Sequence, residues 1–333
     1  MSTDMKNKFS VATAMMLVLF FPALVLQAQQ IPPPPSIRVE SALVGVPVVV
    51  TDDRGRYVPG LSGADFKLYQ DDAPQPFSFF AAADEPIRIG LLLDTSKSTI
   101  TVLNKIKKAA RDFLRNMRPQ DQCFVVSFDA EIKYLCPFTT DQRELEDAVR
   151  RAKVGGYTGT RMRDAIVEAM HNKLRSTLGR KAIVLLTDGQ DFGSEASGAE
   201  LLNAVAASNT VLYPIHYSVD PRKVMRLFGV RSRLPSYTPG DKHGPYAAWD
   251  ERADEAAAYL KELSDLSAGS FFSSDVTDLK QTFARVTEEL RHQYLLGFYP
   301  DKSKLDGKVH SLRVEVSLPN VTIRARRSYR AAR

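Results

Sequence analysis

The sequence is poor in the residues that staple or metallate small domains. It has two cysteines, Cys123 and Cys136, one tryptophan, and five histidines in 333 residues. Two thiols cannot build the dense disulfide framework of a small secreted scaffold. His171, His216, His243, His292 and His310 are scattered without ligand spacing, which argues against a zinc centre of clustered His and Cys. Neither sign of charge dominates, since 45 Lys and Arg stand against 39 Asp and Glu, a net of +6. That excess is spread along the chain and gives little reason to expect a nucleic-acid partner. Long apolar runs are missing too. The best candidate, Val11 to Leu26, has 16 residues, short of the roughly 20 a membrane span needs. No internal repeat is visible.

What is present is ordinary globular material. The hydrophobic set is 44% and the charged set 25%, enough for a sizeable core and for two domains, or one large domain with an attachment. Residues 1–28 differ: Lys6 and Lys8 precede the apolar run, and the small Ala28 follows it. This is the layout of a secretory signal peptide, although Leu26 stands where Ala is usual. The expectation is export to the periplasm, the medium or the cell surface, with no lipid anchor because no Cys lies near the cut. Cleavage would lower the net charge by one, to +5. Residues 29–36 carry Pro32 to Pro35, an extended spacer.

Residues 37–83 lack helical periodicity and read as strands and hairpins, with turns at Asp53–Arg54–Gly55 and Asp71–Asp72. From Ile87 the pattern alternates. Strand-like runs fall at 87–93, 123–128, 182–187, 210–217 and 269–273, and helical faces at 100–117, 253–266 and 278–292. Apolar strands between amphipathic helices imply a parallel sheet covered on both faces. The tight link within 123–137 requires one antiparallel strand there. Cys123 and Cys136 sit on that pair, as a disulfide or as two small core residues. After Leu290 strands return. The fold class is therefore α/β: a doubly wound, mostly parallel sheet over 85–292, with a small β-sandwich-like module built jointly from 37–83 and 293–333. Neither piece is large enough to bury a core alone.

Ligands of open parallel sheets bind beyond the carboxyl ends of the strands, where strand order reverses. Polar groups ending apolar runs are therefore the candidates. Asp94 ends "IRIGLLLD" and is followed by Ser96 and Ser98. Asp188 ends "AIVLLTD". Between them "GGYTGTRMRDAI" offers Thr158 and Thr160 in a Gly-rich loop. Asp94, Ser96, Ser98, Thr160 and Asp188 are hard oxygen donors that suit Mg²⁺ or Mn²⁺, with Ca²⁺ less favoured, rather than zinc. Each piece also has a plain alternative: a helix cap, an ordinary turn, a flexible loop.

In this order, the five residues resemble the metal-ion-dependent adhesion site (MIDAS) of the von Willebrand factor type A domain. That site is an Asp-x-Ser-x-Ser strand end, a loop Thr and a second strand-end Asp, and spacing to the following "DAI" favours Thr160 over Thr158. The flanks "VVVTDDRGRYVPGLSGADFKLYQDDAPQPFSFF", "YLLGFYP" and "RARRSY" resemble the acidobacterial von Willebrand factor A-related family. The resemblance implies a Rossmann-like fold. It further implies that Ser96 and Ser98 ligate directly, that Asp94 and Asp188 act largely through water, and that a partner Asp or Glu completes the metal shell.

The functional expectation is an exported, non-enzymatic, divalent-metal-dependent protein-binding module of adhesion type. The competing readings are a Mg²⁺-assisted phosphoesterase or hydrolase using Ser96 or Ser98, and a structural domain with a vestigial site. Residues 220–250 have no clear periodicity and hold Arg222, Lys223, Arg226, Arg231, Arg233, Tyr237, Tyr246 and Trp249. This insert is expected to border the site and contribute partner contacts. The C-terminal arginines Arg324, Arg326, Arg327, Arg330 and Arg333 are expected on a solvated strand face.

Overall fold

In the computed structural model, residues 43–331 are described, apart from 228 and 231. The signal-peptide and spacer segments, 1–36, lie outside the described residues. The chain opens with strands β1 (Val44–Asp52), β2 (Phe66–Gln70), β3 (Ala73–Pro74) and β4 (Phe79–Ala81). It then alternates: β5 (Ile87–Asp94), α1 (Leu103–Arg115), β6 (Gln122–Phe128), β7 (Ile132–Thr139), α2 (Gln142–Arg151), α3 (Met162–Glu168), β8 (Arg180–Thr187), α4 (Gly198–Ala207) and β9 (Val211–Tyr217). α5 (Pro221–Leu227), α6 (Ala247–Leu266), β10 (Phe272–Ser274) and α7 (Leu279–Arg291) follow. It closes with β11 (Gln293–Phe298), β12 (Val309–Val316), β13 (Val321–Ala325) and β14 (Ser328–Arg330).

The alternating part forms one six-stranded sheet in the order β10-β9-β8-β5-β6-β7. Every pairing is parallel except β6 with β7. All eight residues of β8 are buried, because helices cover both faces. Ile106 and Phe113 of α1, Leu145 of α2 and Phe283 of α7 pack on one face. Ile166 of α3, Leu201 of α4 and Leu260 of α6 pack on the other. The chain leaves β5 toward β6 on one side, and later strands build out through β8 on the other. The strand order thus reverses beside β5, which opens a crevice between the ends of β5 and β8.

The flanking strands form two four-stranded sheets, β13-β1-β11-β4 and β14-β12-β2-β3. Each mixes N- and C-terminal strands, so neither terminal piece folds as a sheet without the other. Val46, Val48 and Leu296 from the first sheet meet Phe66, Leu68 and Leu312 from the second in a shared core. Buried arginines fasten this sandwich to the parallel sheet. Arg180, 1% exposed, donates to the carbonyls of Ala83, Glu85 and Leu290, where the chain enters and leaves the α/β part. Arg118 bridges Ala83 and Arg291 in the same way.

Two expectations change, and the two readings left open for the cysteines resolve to one. α6 begins at Ala247, not near 253, and α5 occupies 221–227, so the insert is partly helical. The extra residues of α6, 247–252, begin with two alanines and carry Asp250 and Glu251, which favour a helix N-terminus without giving an apolar stripe. Arg326 is not on a solvated face: it is 2% exposed, and its guanidinium donates to the carbonyls of Gly45, Ser208 and Ala206. The cysteines are free and buried. Irregularities in the β6–β7 register set Cys136 opposite Val125 and Cys123 opposite Thr139. Among the described residues no helix is long and apolar enough to cross a membrane.

His310 closes the sandwich at the β2–β3 turn. Its Nδ1 lies 2.8 Å from Asp71 and its Nε2 3.1 Å from Asp306. Burial works against the imidazolium, but the two carboxylates outweigh it and raise the His310 pKa. Its stabilising contribution is therefore complete below the unfolded pKa of about 6.5 and fades as pH rises through the higher folded value. Thermal melts should show the wild type losing stability between neutral and mildly alkaline pH more steeply than His310→Gln; parallel curves would contradict this.

Candidate metal centre

Asp94 is the last residue of β5 and is fully buried. Its carboxylate is clamped from two sides. The Ser96 N–H donates to Oδ1 at 2.9 Å, and the Thr187 hydroxyl donates to Oδ2 at 2.9 Å. Thr187 in turn accepts the Gly189 N–H at 2.9 Å, which joins the ends of β5 and β8. Gly189 has φ 77°, and a Cβ there would lie 2.7 Å from Ala256 of α6. Glycine is required by both conformation and space.

The two serines are brought together by the short 3₁₀ turn that follows, residues 97–101. The Ser96 and Ser98 hydroxyl oxygens are 3.0 Å apart. The Ser96 hydroxyl is near enough to Asp94, and the Ser98 hydroxyl to Asp188, to favour their charged forms. A continuous path of oxygens thus runs Asp94, Ser96, Ser98, Asp188. Thr160 arrives from the Gly-rich loop. It is buried, whereas Thr158 is exposed, and it exchanges backbone hydrogen bonds of 3.1 and 2.9 Å with Phe192. Ser96, Ser98, Thr160 and Asp188 line one crevice of about 310 Å³, with Asp94 beneath. The Thr158 hydroxyl also lines it and instead accepts from Lys97 at 3.4 Å.

Asp129 was missed by sequence reasoning, and it holds these loops together. It follows β6 and is 1% exposed. Its carboxylate accepts the Thr95 hydroxyl at 3.0 Å and the Glu131 N–H at 3.0 Å. The Gly155 N–H donates to the Thr95 carbonyl at 2.9 Å, and the Asp129 carbonyl accepts the Arg161 N–H at 2.8 Å. A Cβ on Gly155 would stand 2.4 Å from the Asp129 carboxyl carbon. The first glycine of "GGYTG" therefore lets the Thr160 loop close on Asp129. An acid ending the apolar run "CFVVSFD" was the available signal.

The electrostatics are unbalanced. Burial, then the charge of Asp188, pushes Asp94 well above the ordinary carboxylate range; Ser96 and Thr187 only partly oppose this. Burial likewise raises Asp188, against the Ser98 hydroxyl, the Gln190 N–H and nearby His216. Neither acid has a Lys or Arg ion-pair partner among the described residues. The Tyr217 hydroxyl, close enough to feel both, is buried without a hydrogen-bond partner among them. Two buried like charges cost several kcal/mol unless a cation joins them. The donor set fits a hard divalent cation: two carboxylates for its charge and small hydroxyls for its shell. Among the described residues there is no cluster of three or more His, Cys, Asp or Glu placed to hold a metal ion, so the centre depends on hydroxyl oxygens.

The family model described as von Willebrand factor type A domain matches residues 89–190. Over this segment the chain is similar to the von Willebrand factor type A domain. The match runs from β5 through Asp188 and its turn, and so contains all five candidate residues. Similar solved structures include proximal thread matrix protein 1 of the mussel byssus with a zinc-occupied MIDAS motif. It is 13% identical, with TM-score 0.48, over 66% of this chain and 49% of that one. The present chain thus spans about half the length of the mussel protein. Others are the von Willebrand factor domain of the type V pili tip protein Mfa5 of Porphyromonas gingivalis (12% identity, TM-score 0.44, 61% of this chain and 94% of that chain) and a von Willebrand factor type A protein of Catenulispora acidiphila (12%, 0.45, 89% and 75%). No curated protein matches the sequence.

The insert reaches this edge: its Val224 and Trp249, with Arg252 just beyond it, line the crevice beside Asp188 and Phe192. Asp94→Asn should relieve the repulsion between the two acids. In chelator its melting temperature should exceed the wild type's by about 2–4 °C, on the order of 1 kcal/mol, while Mg²⁺ should no longer raise it. A variant that melts lower than wild type in chelator would show that the acids do not destabilise each other.

Proposed function

We propose that this chain is an exported protein-binding module whose von Willebrand factor type A domain holds a divalent cation, Mg²⁺ or Mn²⁺, completed by an Asp or Glu of the partner. One observation carries the reading. Two buried carboxylates without a cationic partner among the described residues face a crevice of hydroxyl oxygens. Ser96 and Ser98 would ligate directly, Thr160 would join them, and Asp94 and Asp188 would act largely through water. With so few direct carboxylates the ion stays underneutralised and attracts one more from outside. The rim supports a macromolecular ligand. Phe192 is 61% and Tyr157 68% exposed, on loops that edge the crevice, and large exposed aromatics are the usual anchors of interfaces. The segment 220–250 would supply further contacts through Val224 and Trp249.

The reading is of binding without turnover. The Ser96 and Ser98 hydroxyls hydrogen-bond each other beside the two acids, and among the described residues no imidazole bonds either hydroxyl. A hydrolase would need such a base. Export rests on the layout of residues 1–28.

A pull-down from the native envelope, in Mg²⁺ against chelator, tests the proposal. Partner capture should require the ion, and Ser98→Ala or Asp188→Asn should weaken it by roughly tenfold or more. Capture that is unchanged by chelator and by both substitutions would refute the metal-dependent reading.

A further inference from the structure

At the opposite end of the parallel sheet lies a second, larger cleft of about 530 Å³, where the sandwich meets the start of β8. Lys181, which lines it, precedes Asp188 by seven residues on the same strand, which places the two ends roughly 20 Å apart. Four cations line this cleft, Arg175, Lys181, Arg326 and Arg330, and among the described residues no Asp or Glu does. Lys181 is 8% exposed and Arg326 is 2% exposed. Their partners are neutral. Lys181 Nζ donates to the Leu174 carbonyl at 3.1 Å, Arg326 is spent on carbonyls, and Arg330 donates to the Gly307 carbonyl at 3.1 Å. None of the four has a carboxylate partner among the described residues. A lysine ammonium has three donors, and an uncompensated buried cation carries the same kind of cost as the uncompensated acids at the other end.

The rest of the wall is mostly apolar. Met170, Leu295, Leu296 and Leu305 face the space, and Leu178, 76% exposed, stands at its edge. A concave site of this volume, apolar with a few polar groups of one sign, has the ordinary build of a small-molecule pocket.

We propose that this cleft binds a small amphiphilic anion, an acyl or alkyl chain with a carboxylate or phosphate head, the head at Lys181 and Arg175 and the chain along the leucines. Arg326 is structural, and its charge adds to the field without offering a free donor. Because Lys181 is drawn down to about 8 by burial and, less, by the charge of Arg88, anion binding should weaken as pH rises above that value; His171, Tyr329 and the arginines are the other cationic or titratable side chains of the lining.

Isothermal titration of the purified protein in chelator at pH 7 tests this, with decanoate, decyl phosphate, inorganic phosphate and octyl glucoside as probes. Decanoate or decyl phosphate should bind saturably at one site, at least about tenfold tighter than inorganic phosphate or octyl glucoside; whichever binds tighter identifies the head. Lys181→Met should lower that affinity about tenfold without lowering the melting temperature, since an apolar chain of similar length replaces a buried charge. Arg175→Gln, an exposed change that the fold does not depend on, should lower it severalfold. Asp94→Asn should leave it unchanged, which separates this site from the metal centre. Absence of saturable binding, failure of both decanoate and decyl phosphate to bind tighter than inorganic phosphate and octyl glucoside, or indifference to both Lys181→Met and Arg175→Gln would overturn the proposal.

Discussion

Two carboxylates, Asp94 and Asp188, are buried side by side at the point where the parallel sheet reverses its strand order. Burial and proximity raise both toward protonation, and no Lys or Arg pairs with either among the described residues. The surrounding architecture keeps them there. β5 and β8 are adjacent, so their ends must be neighbours, and Thr187 ties Asp94 to the strand that carries Asp188. A fold that stores such repulsion gains most from a ligand of opposite charge. The hydroxyls of Ser96, Ser98 and Thr160 supply oxygens without further negative charge.

Precision at this site is a property of loops held from below. Asp129 fastens Thr95, the 129–131 turn and, through backbone contacts, the Gly155 loop. Asp164 does the same for the loop after β8. Although its burial opposes ionisation, the Ala196 and Glu195 N–H groups and Arg161 hold its carboxyl below the usual range. These acids touch no ligand position directly. They set how far the serines and the threonine stand from the two central carboxylates, which decides whether a cation fits.

Much of this was legible in the sequence because the physics is local. An apolar run that ends in an acid, with hydroxyls two and four residues on, states both a strand end and a donor set. The jointly built sandwich was legible because neither terminal piece could bury a core alone. Other features depend on contacts that no local pattern encodes. The start of α6 lies in an Ala-rich stretch with no apolar stripe. Arg326 follows a basic strand pattern that reads as solvated, yet it turns inward to cap carbonyls of Gly45, Ala206 and Ser208, from two other segments. The β6–β7 register, which separates Cys123 from Cys136, is set by irregular pairing that composition does not announce.

The two ends of the parallel sheet carry opposite imbalances, buried anions at one and buried cations at the other, and the proposed function rests on the first. Crystals grown or soaked in Mn²⁺ and measured at the manganese absorption edge give the most direct test. An anomalous peak bonded to the Ser96 and Ser98 hydroxyl oxygens, with Asp94 and Asp188 in its outer shell, is the expected result. Full-occupancy protein density with no anomalous signal between those four side chains, at millimolar Mn²⁺, would contradict it.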